Sequence, residues 1–462
     1  MASPDFPALQ SRLEGTLMLP GQPGYPDARH VWNGLIDKYP SAIIWCTSAH
    51  DVQQGIAFAR AHHFPIAVRG GGHSVAGYGT VDGGIVLDLS PMHEVTVDEG
   101  TRTVTVGGGA TWGQVDAVTQ EFGLAVPGGV FSRTGVGGLT LGGGYGWLRN
   151  MYGPSCMSLI AAEVVTADCA VVTTDHDTNS DLLWALRGGG GNMGVVTRFT
   201  FMLHPVGPEI YFLFVAHDAR GNEGVRGLKA FRDFCADAPP EISAVASLGV
   251  VAEGADGFAD DLVGIPFIGF SGLFVGDPAR GAELLRPLHD FGTLLFDASG
   301  AMPYTAVQGV FDEDYPEGFH YYWKSLRLDR LDDEAIALIV LAGADAPSDL
   351  SSIDVWHMAG AARAQVDGAL TTTDAPFLVN PEANWIDAHE DEANIDWARS
   401  FVSELEPFSM GTRYMNFAGL QEENRELMRA SFGTLYERLA RVKAQWDPQN
   451  VFRLNPNVPP KF

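Results

Sequence analysis

Pro65-Ile66-Ala67-Val68-Arg69-Gly70-Gly71-Gly72-His73-Ser74 decides the reading of this chain, because a short apolar strand runs without a break into three glycines, a histidine and a serine. Gly77 and Gly79 follow before the next strand-like segment, Gly84 to Asp88. Successive N–H groups with no side chain over them can form a concave nest for a pyrophosphate. A flexible hairpin loop would have the same composition, and a lone histidine is more often structural, so the stretch needs support from elsewhere.

That support lies about sixty residues on. Pro127-Gly128-Gly129 leads into Thr134-Gly135-Val136-Gly137-Gly138-Leu139-Thr140-Leu141-Gly142-Gly143-Gly144-Tyr145-Gly146-Trp147. A run so rich in glycine is expected to form the interior of neither a helix nor a strand. It is tolerated where backbone must lie against a large planar or phosphorylated ligand. Of the 55 glycines in 462 residues, 22 fall between Arg69 and Gly146 with no repeat period, which points to tight loops between short elements rather than a low-complexity linker. Two glycine cradles in one domain suit an extended ligand such as a dinucleotide.

Other nucleotide and hydrolase patterns fail. No G-x-x-x-x-G-K-[ST] occurs, and the one G-x-G-x-x-G (Gly189, Gly191, Gly194) follows a helical segment, Asp181 to Arg187, and precedes a strand. A dinucleotide fingerprint needs the opposite order, since the helix N-terminus must face the pyrophosphate. H-E-x-x-H and G-x-S-x-G are also missing. A net charge of −28 with no Lys/Arg cluster argues against nucleic acid and against a polybasic membrane anchor. Ala335 to Ala342, the longest apolar stretch, is too short for a bilayer of about 30 Å. Cys46, Cys156, Cys169 and Cys235 lie far apart with no C-x-x-C, so neither a metal site nor a disulfide framework is expected. With Met1 to Leu19 lacking a basic start and an apolar core, the expected location is the cytoplasm.

Coarse patterning predicts an α+β protein. Strands are expected at Ala42 to Trp45, Thr103 to Val106, Glu163 to Thr166, Ala170 to Thr174 and Val195 to Phe201. Capping boxes at Ser48/Asp51 and Thr111/Gln114 open helices ending near His62 and Gly123. Beyond His204-Pro205-Val206-Gly207-Pro208 the glycine clusters stop. Alternating strands at Ile210 to Ala216, Tyr321 to Leu328 and Ile353 to Met358 then interleave with helices at about Asn222 to Cys235, Pro278 to Leu288, Asp332 to Leu341 and Asp391 to Leu405. The predicted organisation is a ligand-binding domain over 1–207, a domain with an antiparallel sheet flanked by helices over 208–410, and a C-terminal segment over 411–462 with a helix from Glu422 to Trp446.

Six motifs together carry a family resemblance: R-G-G-G-H-S-x-x-G-Y-G, D-G-G-I-V-L-D-L, T-G-V-G-G-L-T-L-G-G-G-Y-G-W-L, Y-G-P-S-C-M-S-L-I-A-A-E-V-V-T-A-D, L-x-W-A-L-R-G-G-G-G-N-M-G-V-V-T, and the terminal Y-M-N-F with W-D-P-Q-N-V-F-R-L-N-P-N-V-P-P. From about Pro40 to Pro460 the chain resembles the berberine-bridge-enzyme-like branch of the vanillyl-alcohol-oxidase flavoprotein superfamily. The resemblance implies a two-part FAD-binding domain and a substrate domain. It further implies FAD attached covalently from His73 to the flavin 8α-methyl group. Arg69, Gly70, Gly71, Gly72, His73 and Ser74, with Gly77, would hold the pyrophosphate. Pro127, Gly128, Thr134, Gly135, Gly137, Gly138, Gly142, Gly143, Gly144 and Gly146 would lie along the ribityl chain and isoalloxazine. Asn192, Gly194 and Val196 would close the adenine side, and Tyr414 and Asn416 would reach the substrate face.

The implied activity is an FAD-dependent oxidase that removes hydride from a CH–OH or CH–NH group of a small molecule and passes electrons to molecular oxygen, giving hydrogen peroxide. A dehydrogenase with another acceptor, an NADPH-dependent reductase and a non-catalytic flavin-binding protein are the alternatives. Two departures from the pattern matter. Phe131 stands where doubly linked members carry a cysteine, and Cys156 comes some twenty-five residues too late to replace it, so a single linkage is expected. Phe417 stands where many members have a tyrosine base. Tyr414 would then serve only if the chain turns locally; otherwise Tyr322 is the base, or an amine arrives already deprotonated. Tyr322 and Lys324 on one strand, and Asp354 and Trp356 on another, are the expected pocket-lining side chains, and Thr134 is expected to leave oxygen a path.

Overall fold

A computed structural model describes residues 4–420 and 425–461. The strand that opens the first glycine run, Ile66–Arg69, pairs parallel with Ile85–Asp88, which pairs parallel with Ala42–Trp45, and Thr16–Met18 completes a four-stranded sheet. Parallel strands of one sheet need a crossover connection. The helix Ala49–His62 supplies it between Ala42–Trp45 and Ile66–Arg69, burying Val52, Ile56 and Ala59. Ser48 caps that helix, but the Asp51 carboxylate accepts from the N–H groups of Glu14, Gly15 and Thr47, so only half of the expected box forms. The Thr111/Gln114 box forms on both sides.

A five-stranded antiparallel sheet follows, in the order Val95–Asp98, Thr103–Gly107, Val195–Met202, Leu159–Val165, Val171–Thr174. The third sheet has nine strands and runs from Glu209–Asp218 to Phe377–Trp385. Its central strands alternate cleanly. Ile353, Val355, Phe377 and Val379 pack under the helices Glu223–Asp237, Pro278–His289, Asp333–Ala344 and Asp391–Leu405, while Trp356 and Leu378 face the glycine-rich half. None of the described helices is long and apolar enough to cross a membrane.

The predicted strand from Tyr321 to Leu328 is two strands, His320–Trp323 and Leu326–Leu328, both paired with Phe377–Trp385. The break lies opposite Pro381, which has no N–H to offer a continuous ladder. The single predicted C-terminal helix also divides, into Arg425–Phe432 and Tyr436–Trp446, with Gly433 at φ +49° between them; its expected start, 422–424, lies outside the described residues. Both pieces return to the first half of the chain. Met428, Phe432, Leu439 and Val442 share a core with Trp112, Leu182 and Phe199.

Behind that return sits a fully buried ion pair. Lys443 Nζ donates to Asp447 Oδ2 and to the carbonyls of Asn192 and Phe452, each at 2.6 Å. Asp447 accepts in turn from the N–H groups of Val451 and Phe452. Removing one partner strands the other charge without water, which costs roughly 3–5 kcal/mol. Lys443→Met is therefore expected to lower the unfolding free energy by about that much, read by denaturant titration; a loss under about 1 kcal/mol would show that the pair is not holding the segment.

Candidate functional site

The two glycine runs meet backbone to backbone. A Cβ added at Gly71 would lie 2.6 Å from the nitrogen of Gly135, so neither residue can carry a side chain where they touch. Together they wall a cavity enclosing roughly 1560 Å³ of space between protein atoms, its mouth included. The N–H groups of residues 70–74 donate to no backbone or side-chain acceptor among the described residues. Unspent donors on a glycine cradle, facing a cavity of this size, fit the pyrophosphate of a dinucleotide.

Gly70, Gly71, Gly72, His73, Ser74, Thr134, Gly135, Gly137, Gly138, Gly142, Gly194, Val196, Tyr414 and Asn416 all line the cavity. The run expected to avoid helix contains one, Val136–Leu141. Burial of Val136 and Thr140 offsets the intrinsic cost of its glycines, about 1 kcal/mol each, while Gly137 and Gly138 are on the cavity wall.

Several expected residues do other work. Arg69 touches the cavity with its stem, but its guanidinium is committed to Asp88 and to the carbonyls of Ala28 and His30, so its charge is not offered to a phosphate. Gly77 adopts φ +71° against Ile36, Gly128 makes room for the Trp112 ring, and Gly146 packs against the backbone of Gly128 and Gly129. Gly143 and Gly144 pack against Leu370 and Ser155, and Pro127 also lies outside the cavity lining. Asn192 holds the tail, donating to the carbonyls of Asn455 and Pro456, which do line the cavity.

His73 stacks on Trp32 at 4.0 Å between ring centroids, and Trp32 stacks on Tyr321 at 3.8 Å. Burial pushes its imidazole down to about 4, so the ring is neutral with a free lone pair. Phe131 lies 5.8 Å from it, centroid to centroid, on the same wall. Cys156 is buried outside the lining, and burial raises its thiol to about 12.

The local turn at Tyr414 exists, as a 3-10 turn at Met415–Phe417, so Tyr414 and Phe417 come together with their rings edge to face at 5.1 Å. The Tyr414 oxygen already accepts from the N–H groups of Gly144 and Tyr145 at 3.0 and 3.1 Å and from Asn416 Nδ2 at 2.9 Å. Burial raises its pKa, and the residue acts as a clamp between the glycine run and the C-terminal segment. Tyr322 points the other way, its hydroxyl accepting from Arg399 Nε at 3.0 Å among Ala383, Trp385 and Ala398. The side chains of that strand that face the cavity are one residue out of step with those expected: Trp323 lines the cavity, and Tyr321 backs Trp32.

Sequence reasoning reached Asp354 and Trp356 but missed the partner of Asp354. Strand register sets Asp354 opposite Asn380, with Glu382 two residues further on the same face. Glu382 accepts from the Tyr315 hydroxyl at 2.7 Å and from the Asn380 amide. Burial first, and then the neighbouring Asp354 charge, holds Glu382 well above the usual carboxylate range; burial likewise raises Asp354. Asp354 is half-buried and shares its strand face with Trp356, which lines the cavity, while Asp354 and Glu382 themselves lie outside the lining. Trp323, Trp356 and Phe417, all on the cavity wall, join Tyr315 and Phe131 in an aromatic enclosure beside this pair. The only sequence signal for Glu382 was that it is the one acidic side chain in its strand, whose other polar residues are Asn380 and Asn384.

Comparisons with known proteins agree with this geometry. Residues 40–175 match the FAD binding domain family, and residues 413–459 match the berberine and berberine-like family. The chain is 28% identical to (R)-6-hydroxynicotine oxidase of Paenarthrobacter nicotinovorans over 97% of both chains. It is 27% identical to glucooligosaccharide oxidase of Sarocladium strictum over 91% of this chain and 88% of that one. Crystallographic 6-hydroxy-D-nicotine oxidase from Arthrobacter nicotinovorans superimposes with a TM-score of 0.86 at 25% identity, covering 97% of this chain and 98% of that one. Glucooligosaccharide oxidase from Acremonium strictum, described as carrying a 6-S-cysteinyl, 8α-N1-histidyl FAD, gives 0.86 at 25% identity over 98% and 99%. Fold and cavity therefore define an FAD-linked oxidoreductase. The chain thus carries an FAD binding domain and a berberine-like C-terminal segment, and over nearly its whole length it is similar to berberine-bridge-like oxidases.

Proposed function

We propose that this protein is a cytoplasmic oxidase of a small molecule carrying a CH–OH or CH–NH group, with FAD joined once, through His73, and molecular oxygen as electron acceptor. The observation that carries the reading is the neutral, ring-stacked His73 beside unspent N–H groups on the cavity wall. When bound, the flavin supplies a two-electron acceptor for a C–H beside a hydroxyl or amine. Residues 70–74, Gly135, Gly137 and Gly138 would hold its phosphates and ribityl chain without side-chain interference. Tyr414 and Asn416 keep the C-terminal segment against the second glycine run, and the aromatic walls exclude water. The Asp354/Glu382 pair is the base: it takes the heteroatom proton in place of the phenol that Phe417 lacks. Four unpaired cysteines favour a reducing compartment.

Anaerobic mixing with a panel of small alcohols and amines is expected to bleach the flavin absorbance for at least one class. Admitting air is expected to restore it with one hydrogen peroxide per turnover, Thr134 leaving the oxygen path open. If dithionite-reduced protein survives in air for minutes while an artificial acceptor reoxidises it at once, the acceptor is not oxygen.

A further inference from the structure

Beside the cavity wall formed by Trp323, Trp356 and Phe417, Asp354, Asn380 and Glu382 collect acceptors and negative charge with no cation paired to them among the described residues. Asp354 and Glu382 form no ion pair with any Lys, Arg or His among the described residues, and neutral groups supply their hydrogen bonds. Two buried arginines on this side of the sheet are engaged elsewhere: Arg149 donates to the carbonyls of Gly146, Ala244 and His357, and Arg327 reaches Tyr145. Asn380, fully buried, gives its amide N–H to Glu382 and leaves its Oδ1 with no partner. An orphaned acceptor beside two unpaired carboxylates is costly in a dry interior unless something donates to it. Around the cluster stand the ring faces and edges of Trp323, Trp356, Phe417 and Tyr315.

Resting on the oxidoreductase reading above, we infer that this enclosure recognises an organic ammonium group, so that the substrate is an amine bound as its cation. Acceptors and negative charge match the N–H donors and positive charge of an ammonium, and the aromatic rings match its weakly hydrated methylene or methyl groups. A neutral alcohol would satisfy one acceptor and leave the charge unpaired. In the step that follows, the ammonium N–H proton passes to the ionised member of the carboxylate pair. The hydrogen of the adjacent carbon would leave as hydride, the C–H bonding pair going with it to the FAD that the cavity would hold as the two-electron oxidant. The product is an iminium ion, which water hydrolyses to a carbonyl compound and the freed amine.

Binding, rather than turnover, tests this. Isobutylamine, present as its ammonium cation, and 2-methylpropan-1-ol have nearly the same shape and differ in charge and in the N–H donors that the acceptors would take. Each is titrated anaerobically into the yellow holoprotein while the flavin absorbance is followed. The net charge of −28 draws in any cation, so the titration is run at about 0.5 M salt, where the screening length is only a few ångströms. Isobutylamine is expected to perturb or bleach the flavin with at least about tenfold greater affinity than the alcohol isostere, each 1.4 kcal/mol being tenfold. That preference is expected to vanish in Glu382→Gln and in Asp354→Asn, both of which keep side-chain volume. Equal affinities, or tighter binding of the isostere by wild-type protein, would overturn the inference while leaving the oxidoreductase reading intact. Purified protein without bound flavin would instead overturn that reading.

Discussion

Acid precipitation of wild-type protein is expected to carry the yellow colour into the pellet, and the same treatment of His73→Ala is expected to release essentially all of it to the supernatant. The argument begins with charge. A histidine attacks carbon only through a neutral ring nitrogen, and burial keeps His73 unprotonated until about pH 4. The sign follows: attachment to refolded apoprotein should run undiminished from about pH 8 down to about pH 6 and fail only as the ring takes up its proton. Position comes next. Stacking against Trp32, itself backed by Tyr321, fixes the ring plane, and the glycine nest leaves the approach open. Phe131, on the same wall, has no nucleophile, so peptide mapping should find one flavinylated peptide, the one containing His73. Colour that stays in the pellet of His73→Ala would place the bond elsewhere, and colour that leaves wild-type protein would show that there is no bond.

What the sequence revealed, and what it hid, divides along local and non-local lines. A backbone that must press against another backbone can tolerate only glycine, so the meeting of Gly71 with Gly135 was written into residue type at both positions. Which glycines face the ligand and which face protein was not. Gly77, Gly128 and Gly146 make equally tight contacts with Ile36, Trp112 and neighbouring backbone, and composition cannot separate the two uses. Arg69 misled for a related reason, because Asp88, its partner, lies on the paired strand nineteen residues away. On the strand His320–Trp323 an error of one residue exchanged the cavity face for the core face, since alternation fixes the period but not the phase. Three central strands, Ile242–Val250, Pro266–Phe274 and Phe377–Trp385, went unread because serine, glycine or proline interrupts each of them. With Phe377–Trp385 went Glu382, whose role exists only once sheet register brings it near Asp354.

Removing that carboxylate pair is expected to have the largest kinetic effect in the molecule. Two buried acids this close cannot both ionise cheaply, so each holds the other above the ordinary carboxylate range and the pair titrates as a unit. A positioned general base contributes typically 10²–10⁴-fold. Glu382→Gln and Asp354→Asn are each expected to slow anaerobic flavin reduction by about that factor with flavin still attached. Because the pair acts together, the double variant should be little slower than the worse single one. The pH dependence carries the sign. Burial, and then mutual repulsion, raises the pair above the ordinary carboxylate range, so reduction at saturating substrate should climb with pH as the pair ionises. In Asp354→Asn the repulsion is gone and only burial remains, so whatever rate survives should begin its climb at lower pH than in wild-type protein. Tyr414→Phe serves as the contrast. Its oxygen caps two backbone N–H groups, so losing it should cost roughly 1–3 kcal/mol of stability and leave the shape of the pH profile alone. If Tyr414→Phe instead abolishes the climb while both carboxylate variants reduce the flavin within tenfold of the wild-type rate, the base is the tyrosine, and its three hydrogen-bond donors serve to stabilise a phenolate.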